Sequence, residues 1–181
     1  MTGLPLDRHS IEGHLGEVAE ELSRNGYTAQ AIVVTVGGSF MALHNLRAST
    51  RDVDSIVGLD EPLKSAVAVV AERHGLRPDW LNDNARPFKP QGLTIDDCEV
   101  LYEQPTLVVL GPQASWVFLM KLYASRGGDD ELDMLKLWPL TDFADAADVV
   151  RRFYDAYPLE KPDEHLEDHV HGLIGRAQQS S

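Results

Sequence analysis

The stretch Gly37-Gly38-Ser39-Phe40-Met41-Ala42-Leu43-His44-Asn45-Leu46-Arg47-Ala48-Ser49-Thr50-Arg51-Asp52-Val53-Asp54 decides how this chain folds. Before it runs Ala31-Ile32-Val33-Val34-Thr35-Val36, an apolar segment that reads as a buried strand. Ser39 to Leu46 reads as a short helix, and Gly37 and Gly38 leave its first turn bare. A strand that feeds a helix N-terminus through two glycines is a phosphate cradle. Unpaired N–H groups and the positive end of the helix dipole face an anion, and no Cβ keeps it away. Beyond the helix, Val53 to Val57 reads as the next strand, whose period of two sets Asp52 and Asp54 on one face and Val53 on the other. Adjacent carboxylates repel, and a divalent cation relieves that repulsion. Hard oxygen ligands beside a phosphate cradle suit Mg²⁺ or Mn²⁺, so the segment points to metal-assisted handling of a nucleoside triphosphate.

Plainer readings attach to the same residues. Gly37-Gly38-Ser39 also fits an ordinary tight turn with Ser39 as a helix cap, and Asp52 and Asp54 also fit a solvated edge strand. The occurrence of both features in this order, with apolar Val53, Ile56 and Val57 giving the strand one buried face, favours the ligand-binding reading.

The order Gly-Gly-Ser, then His-x-x-Arg-x-Ser-Thr-x-Asp-x-Asp, resembles the nucleotidyltransferase superfamily, most closely the bacterial branch of the AbiE and MenT toxins (AbiEii-type nucleotidyltransferases). A second segment carries the same resemblance. Trp116-Val117-Phe118-Leu119-Met120-Lys121-Leu122-Tyr123-Ala124-Ser125-Arg126, followed by Asp129, Asp130 and Asp133, is similar to that branch's Lys-x-x-Ala-x-Arg helix and later Asp-x-x-Asp. The resemblance implies a polymerase-beta-like α+β fold, a small mixed sheet flanked by helices. It implies Gly37, Gly38, Ser39, Arg47, Thr50 and Arg126 as nucleotide-facing residues and Asp52 and Asp54 as catalytic metal ligands. Lys121 would contact the triphosphate and Asp133 would support the site, with Asp129 and Asp130 as competing choices because Gly127-Gly128 leaves the register open. Asp130 also fits a helix cap before Glu131. The implied acceptor is a tRNA 3′ end or a partner protein, and the implied partner is a cognate antitoxin. An inactive relative of the fold, serving as a binding or regulatory module, is the alternative.

Length and composition set the bounds. The chain has 181 residues, 43% hydrophobic and 25% charged, the profile of an ordinary globular protein. No apolar run approaches membrane-spanning length, and Met1 to Arg8 lacks the basic patch and apolar core of a signal peptide, so a cytoplasmic protein without membrane partners is expected. The single cysteine, Cys98, cannot pair within the chain and reads as a small apolar filler in a strand. A net charge of −13 argues against a broad nucleic-acid surface, so a tRNA substrate requires a local positive cleft around Arg47, Arg51, Lys121 and Arg126.

The remaining pattern places these motifs. Ser10 to Asn25 sets Ile11, Leu15, Val18, Ala19 and Leu22 on one helical face, a packing helix with no sign of chemistry. Leu63 to His74 reads as a second amphipathic helix stopped by Gly75, Pro78 to Gly92 as loop, and Cys98–Glu103 and Thr106–Leu110 as strands. Gly111-Pro112 opens the helix of Lys121, and helices are expected over 131–138, 143–157 and 163–176. Residues 1–112 therefore form the expected core and 113–181 a helical part packed on it. Lys121, in an apolar helix, also fits a snorkelling side chain with its ammonium in solvent. Glu99 and Glu103 are the acids available as a third metal ligand. Asn82-Asp83-Asn84 reads as an exposed polar turn, and His165-Leu166-Glu167-Asp168-His169-Val170-His171 as a polar helix end rather than a zinc site. Neither a Gly-x-Ser-x-Gly elbow nor a P-loop is present.

Overall fold

Asp7 opens the first helix, its carboxylate accepting from the Ser10 N–H, and α1 (Arg8–Arg24) buries the expected face of Ile11, Leu15, Val18, Ala19 and Leu22. The computed structural model describes residues 4–124 and 128–179. It is a mixed α and β structure with a five-stranded mixed sheet and seven α-helices among those residues. Residues up to Pro87 together with Cys98–Gly111 make one compact unit, and Phe88–Asp97 together with the chain from Pro112 onward make a second.

In the first unit β1 (Ala31–Val36) leads directly into α2 (Gly37–Leu43). The helix ends three residues earlier than its pattern predicts. Asn45 adopts a left-handed φ of 57°, and the Leu46 N–H turns back to the Met41 carbonyl, which closes the helix. β2 (Val53–Ser55) is also shorter than expected: the Ser55 hydroxyl donates to the Val57 carbonyl and accepts from its N–H, taking that backbone out of the ladder. α3 (Glu61–His74) starts at the Asp60 cap and stops at left-handed Gly75. A two-residue strand, β3 (Leu81–Asn82), follows within the region expected to be loop, and β4 (Cys98–Gln104) and β5 (Leu107–Pro112) complete the sheet. Gly111-Pro112 therefore ends a strand, where the sequence suggested a helix start.

The sheet order is β3-β2-β1-β5-β4. β1 runs antiparallel to β2 and parallel to β5, and β2 runs parallel to β3. A core of Leu15, Leu22, Val33, Val53, Leu63, Val70, Trp80 and Val109 lies between sheet and helices. Burial of these apolar side chains contributes about 1.5–3 kcal/mol each. In the second unit α4 (Ala114–Ala124), α5 (Gly128–Leu137), α6 (Ala146–Ala156) and α7 (Leu166–Gln179) pack around Phe118, Met134, Leu137, Val149 and Val170. Among the described residues no helix is long and apolar enough to cross a membrane.

Candidate functional site

The register of β1 and β2 brings the two halves of the first motif together. Val36 is the Cα partner of Asp54, and Val36 is also the residue that precedes α2. Being apolar, Val36 offers no side-chain cap, so no side chain caps the first turn of α2. Asp54 thus stands across the ladder from the start of that turn.

The two glycines there are needed for different reasons. Gly37 has φ 62°, a left-handed conformation that strains any L side chain, with open space where a Cβ would stand. Gly38 has an ordinary φ but no room: a Cβ would lie 2.5 Å from Thr50 Oγ1 and 3.6 Å from Arg47 Nη1. Gly38, Arg47 and Thr50, three of the expected nucleotide-facing residues, therefore converge. Thr50 is fixed from behind, its backbone exchanging hydrogen bonds of 2.7 and 2.8 Å with Leu6. A groove of about 450 Å³ opens beside Arg47, lined also by Asp7, Arg8, His9 and Asn45, and includes neither Asp52 nor Asp54.

Ser39 corrects an expectation. Its side chain is buried, and its hydroxyl donates to the Val36 carbonyl at 2.9 Å and shares a 2.6 Å hydrogen bond with Thr35. The side chain braces the turn from inside, so Ser39 can meet an anion only through its backbone.

Asp52 and Asp54 flank the buried Val53 and are themselves half-buried. Burial pushes the Asp52 carboxyl above its usual range. The Asp79 charge adds to that shift, while Arg77 and Arg51 oppose it. Burial likewise pushes Asp54 up, the Asp52 charge pushes it further, and a hydrogen bond from Asn82 opposes the shift. The two acids therefore form a partly desolvated pair of like charges. Neither makes an ion pair among the described residues. Carboxylate oxygens in this state fit a hard divalent cation such as Mg²⁺ or Mn²⁺.

Of three neighbours of the pair, two went unread in the sequence and Asn82 was expected in an exposed turn. Asn82 is 9% exposed and is the parallel-strand partner of Asp54, so it belongs to the floor of the site and not to an exposed turn. Arg77 grips Asp79 through two hydrogen bonds of 2.9 and 2.6 Å, and both of these charges act on Asp52 and Asp54. The available signal was Trp80-Leu81 between polar residues, the trace of a strand too short for periodicity to show. Glu99 and Glu103 are not a third ligand to this pair. They lie on β4, separated from β2 by β1 and β5, and they meet His44 and Gln30 instead. His44 has Nδ1 2.9 Å from the Phe40 carbonyl and Nε2 2.9 Å from Glu99, which ties the end of α2 to β4.

In the second unit Lys121 is 6% exposed, not snorkelling. Its ammonium lies 2.7 Å from Asp133 Oδ2 and donates to Asp130 Oδ1 at 3.2 Å, joining α4 to α5. Asp130 sits inside α5 and does not cap it, because the helix already begins at Gly128. Lys121 and Asp133 are therefore together, and Asp130 shares the ammonium. Arg126 lies outside the described residues. His165 precedes α7, and the His165–His171 segment contributes to no three-ligand cluster among the described residues.

Comparison of the chain with family models, with curated proteins and with solved structures finds no match in any of the three.

Proposed function

We propose that this chain is a metal-dependent nucleotidyltransferase of the polymerase-beta-like fold, moving a nucleotide from a nucleoside triphosphate to an RNA or protein acceptor. The observation that carries the reading is the pairing of Asp54 with Val36, which sets a half-buried acid pair across from the side-chain-free opening of α2. Asp52 and Asp54 would hold Mg²⁺ or Mn²⁺, which supplies positive charge where the α-phosphate and the attacking oxygen develop negative charge. Backbone N–H groups at Gly37 and Gly38 bind and orient the triphosphate. Arg47 and Thr50 line the same turn and add a cation and a hydroxyl. Asn82 stands beside Asp54 on the neighbouring strand and favours its charged form. Lys121 and Asp133 enter through the resemblance of the second motif, which also supports a toxin with a tRNA 3′ end as acceptor and an antitoxin as partner.

The test is incubation of purified protein with total bacterial RNA, Mg²⁺ and each labelled triphosphate in turn, with Asp54→Asn alongside. Label in a tRNA-sized band, reduced about 10³-fold in the variant, is expected, since loss of a metal site worth several kcal/mol is a loss of that order. Label on protein would move the acceptor to a polypeptide. No label in any lane would overturn the enzyme reading and leave a binding module. Growth arrest on expression without an antitoxin is the corresponding test of the toxin assignment.

A further inference from the structure

A second cluster lies on the helices of the first unit, where the sequence shows only a packing face. His14 and Glu17 are three residues apart on α1 and share one side of it, and His74 reaches them from the last position of α3. One ligand atom from each lies within 4.8 Å of the other two. His74 Nε2 is 2.6 Å from Glu17 Oε1, while Arg73 donates to Glu17 Oε2, also at 2.6 Å. The imidazoles of His14 and His74 have centroids 4.6 Å apart, and His14 stands edge-on to buried Trp80 at 5.6 Å.

We propose that His14, Glu17 and His74 form a transition-metal site, for which Zn²⁺ is the fitting ion. Two imidazole nitrogens and one carboxylate oxygen are a borderline ligand set that zinc accepts, with a fourth position left to water. Mg²⁺ and Ca²⁺ prefer all-oxygen surroundings, so this cluster and the Asp52–Asp54 pair select different ions. Arg73 holds the outer carboxylate oxygen and leaves Oε1 directed at His74, the orienting task that outer partners perform in metal sites. An ion here replaces the Glu17–His74 hydrogen bond with a cross-link between α1 and α3. A single histidine on a core-facing helix is ordinary. The convergence of two histidines and an acid from two helices is what sets this place apart.

The experiment titrates Zn²⁺ alone, by calorimetry, into the full chain carrying Asp52→Asn and Asp54→Asn, which removes the carboxylate pair as a competitor. One ion per chain is expected. In this background His74→Ala should weaken binding by at least about 100-fold, more than loss of an outer-shell partner costs, and Glu17→Gln by about 10-fold. His74 is exposed, so its removal leaves the core intact, whereas His14→Ala touches Trp80 and serves as the second variant. Zn²⁺ should also raise the Tm of the parent and not of His74→Ala. Co²⁺ in place of Zn²⁺ should give the visible absorption of a four-coordinate ion, lost in the same variant. No binding to the parent, or an affinity in both His74→Ala and His14→Ala equal to that of the parent, overturns the assignment.

Discussion

Two clusters of charge, one in each unit, are built in opposite ways. Lys121, Asp130 and Asp133 combine a buried cation with two acids, and the ammonium lies within 3.2 Å of both. Asp52 and Asp54 are two acids whose carboxyls are both pushed up by burial, and the guanidinium that acts on both, Arg77, is bonded to Asp79 instead. In the first cluster the charges are satisfied within the protein. In the second, burial and repulsion leave a deficit of positive charge that an external cation would relieve. Satisfied charge is architecture, and unsatisfied charge on a fixed strand is the better candidate for chemistry.

The largest stability effect should come from breaking the satisfied cluster. Lys121→Ala removes the ammonium that lies 2.7 Å from Asp133, a carboxylate only 3% exposed. Breaking a buried pair from one side costs about 3–5 kcal/mol, which for a chain of this size lowers Tm by about 10 °C. Asp54→Asn should leave Tm unchanged or raise it, because it deletes one of two repelling charges. Calorimetry on the two variants decides the matter. If Lys121→Ala melts with the wild type, or Asp54→Asn is as costly as Lys121→Ala, the contrast between the clusters is wrong. Lys121→Ala is for the same reason a poor probe of activity alone, whereas a lysine with its head in solvent would have been a clean one.

Much of this was legible in the sequence, and what was not has physical reasons. The apolar faces of α1 and α3, the β1 strand and the acid pair follow from periodicity, which is a local property. The ends of α2 and β2 were set by the left-handed Asn45 and the Ser55 hydroxyl, single-residue events that no period reveals. β3 is two residues long, so Asn82 beside Asp54 could be found only by pairing. His14 and His74 stand 60 positions apart in sequence, and only the packing of α1 on α3 brings them together. Burial of Lys121 depended on two acids from the following helix, whereas its own helix told only that its stem is apolar.

The two glycines sharpen the comparison at a smaller scale, since they sit side by side and fail for separate reasons. Gly38→Val drives a side chain into Thr50, an overpacking that costs about 1–3 kcal/mol, and Thr50→Ala should restore part of it by removing the hydroxyl 2.5 Å from the new Cβ. Gly37→Ala forces a side chain into a left-handed backbone at about 1–2 kcal/mol, and Thr50→Ala should restore none of it. Urea unfolding of the two single and two double variants measures both. Equal rescue at the two positions would mean that crowding governs the whole turn. No rescue at Gly38 would mean that Thr50 is not what fills the space.

The smallest effect is in the pH dependence of stability, and its sign separates Asp52 and Asp54 from their neighbour Asp79. A carboxyl whose folded pKa is raised binds protons more tightly in the native state than in the unfolded one. The stabilisation from Asp52 and Asp54 is therefore fully present below their ordinary value of 3.8 and is lost as pH rises through the raised folded values. Asp79 runs the other way: its carboxyl is held below 3.8, chiefly by the hydrogen bonds from Arg77, so its contribution is present above that value and fades as pH falls through the folded one. Many other acids titrate in the same range, so the readable quantity is the difference between each variant and the wild type. As pH rises from below 3.8 toward neutrality, Asp52→Asn/Asp54→Asn should gain stability relative to the wild type, and Asp79→Asn should lose it. Mg²⁺ should shrink the first difference at neutral pH by neutralising the acid pair, and should leave the second in place. Difference curves of the same sign for both variants, or a Mg²⁺ response confined to Asp79, would place the positive-charge deficit somewhere other than Asp52 and Asp54.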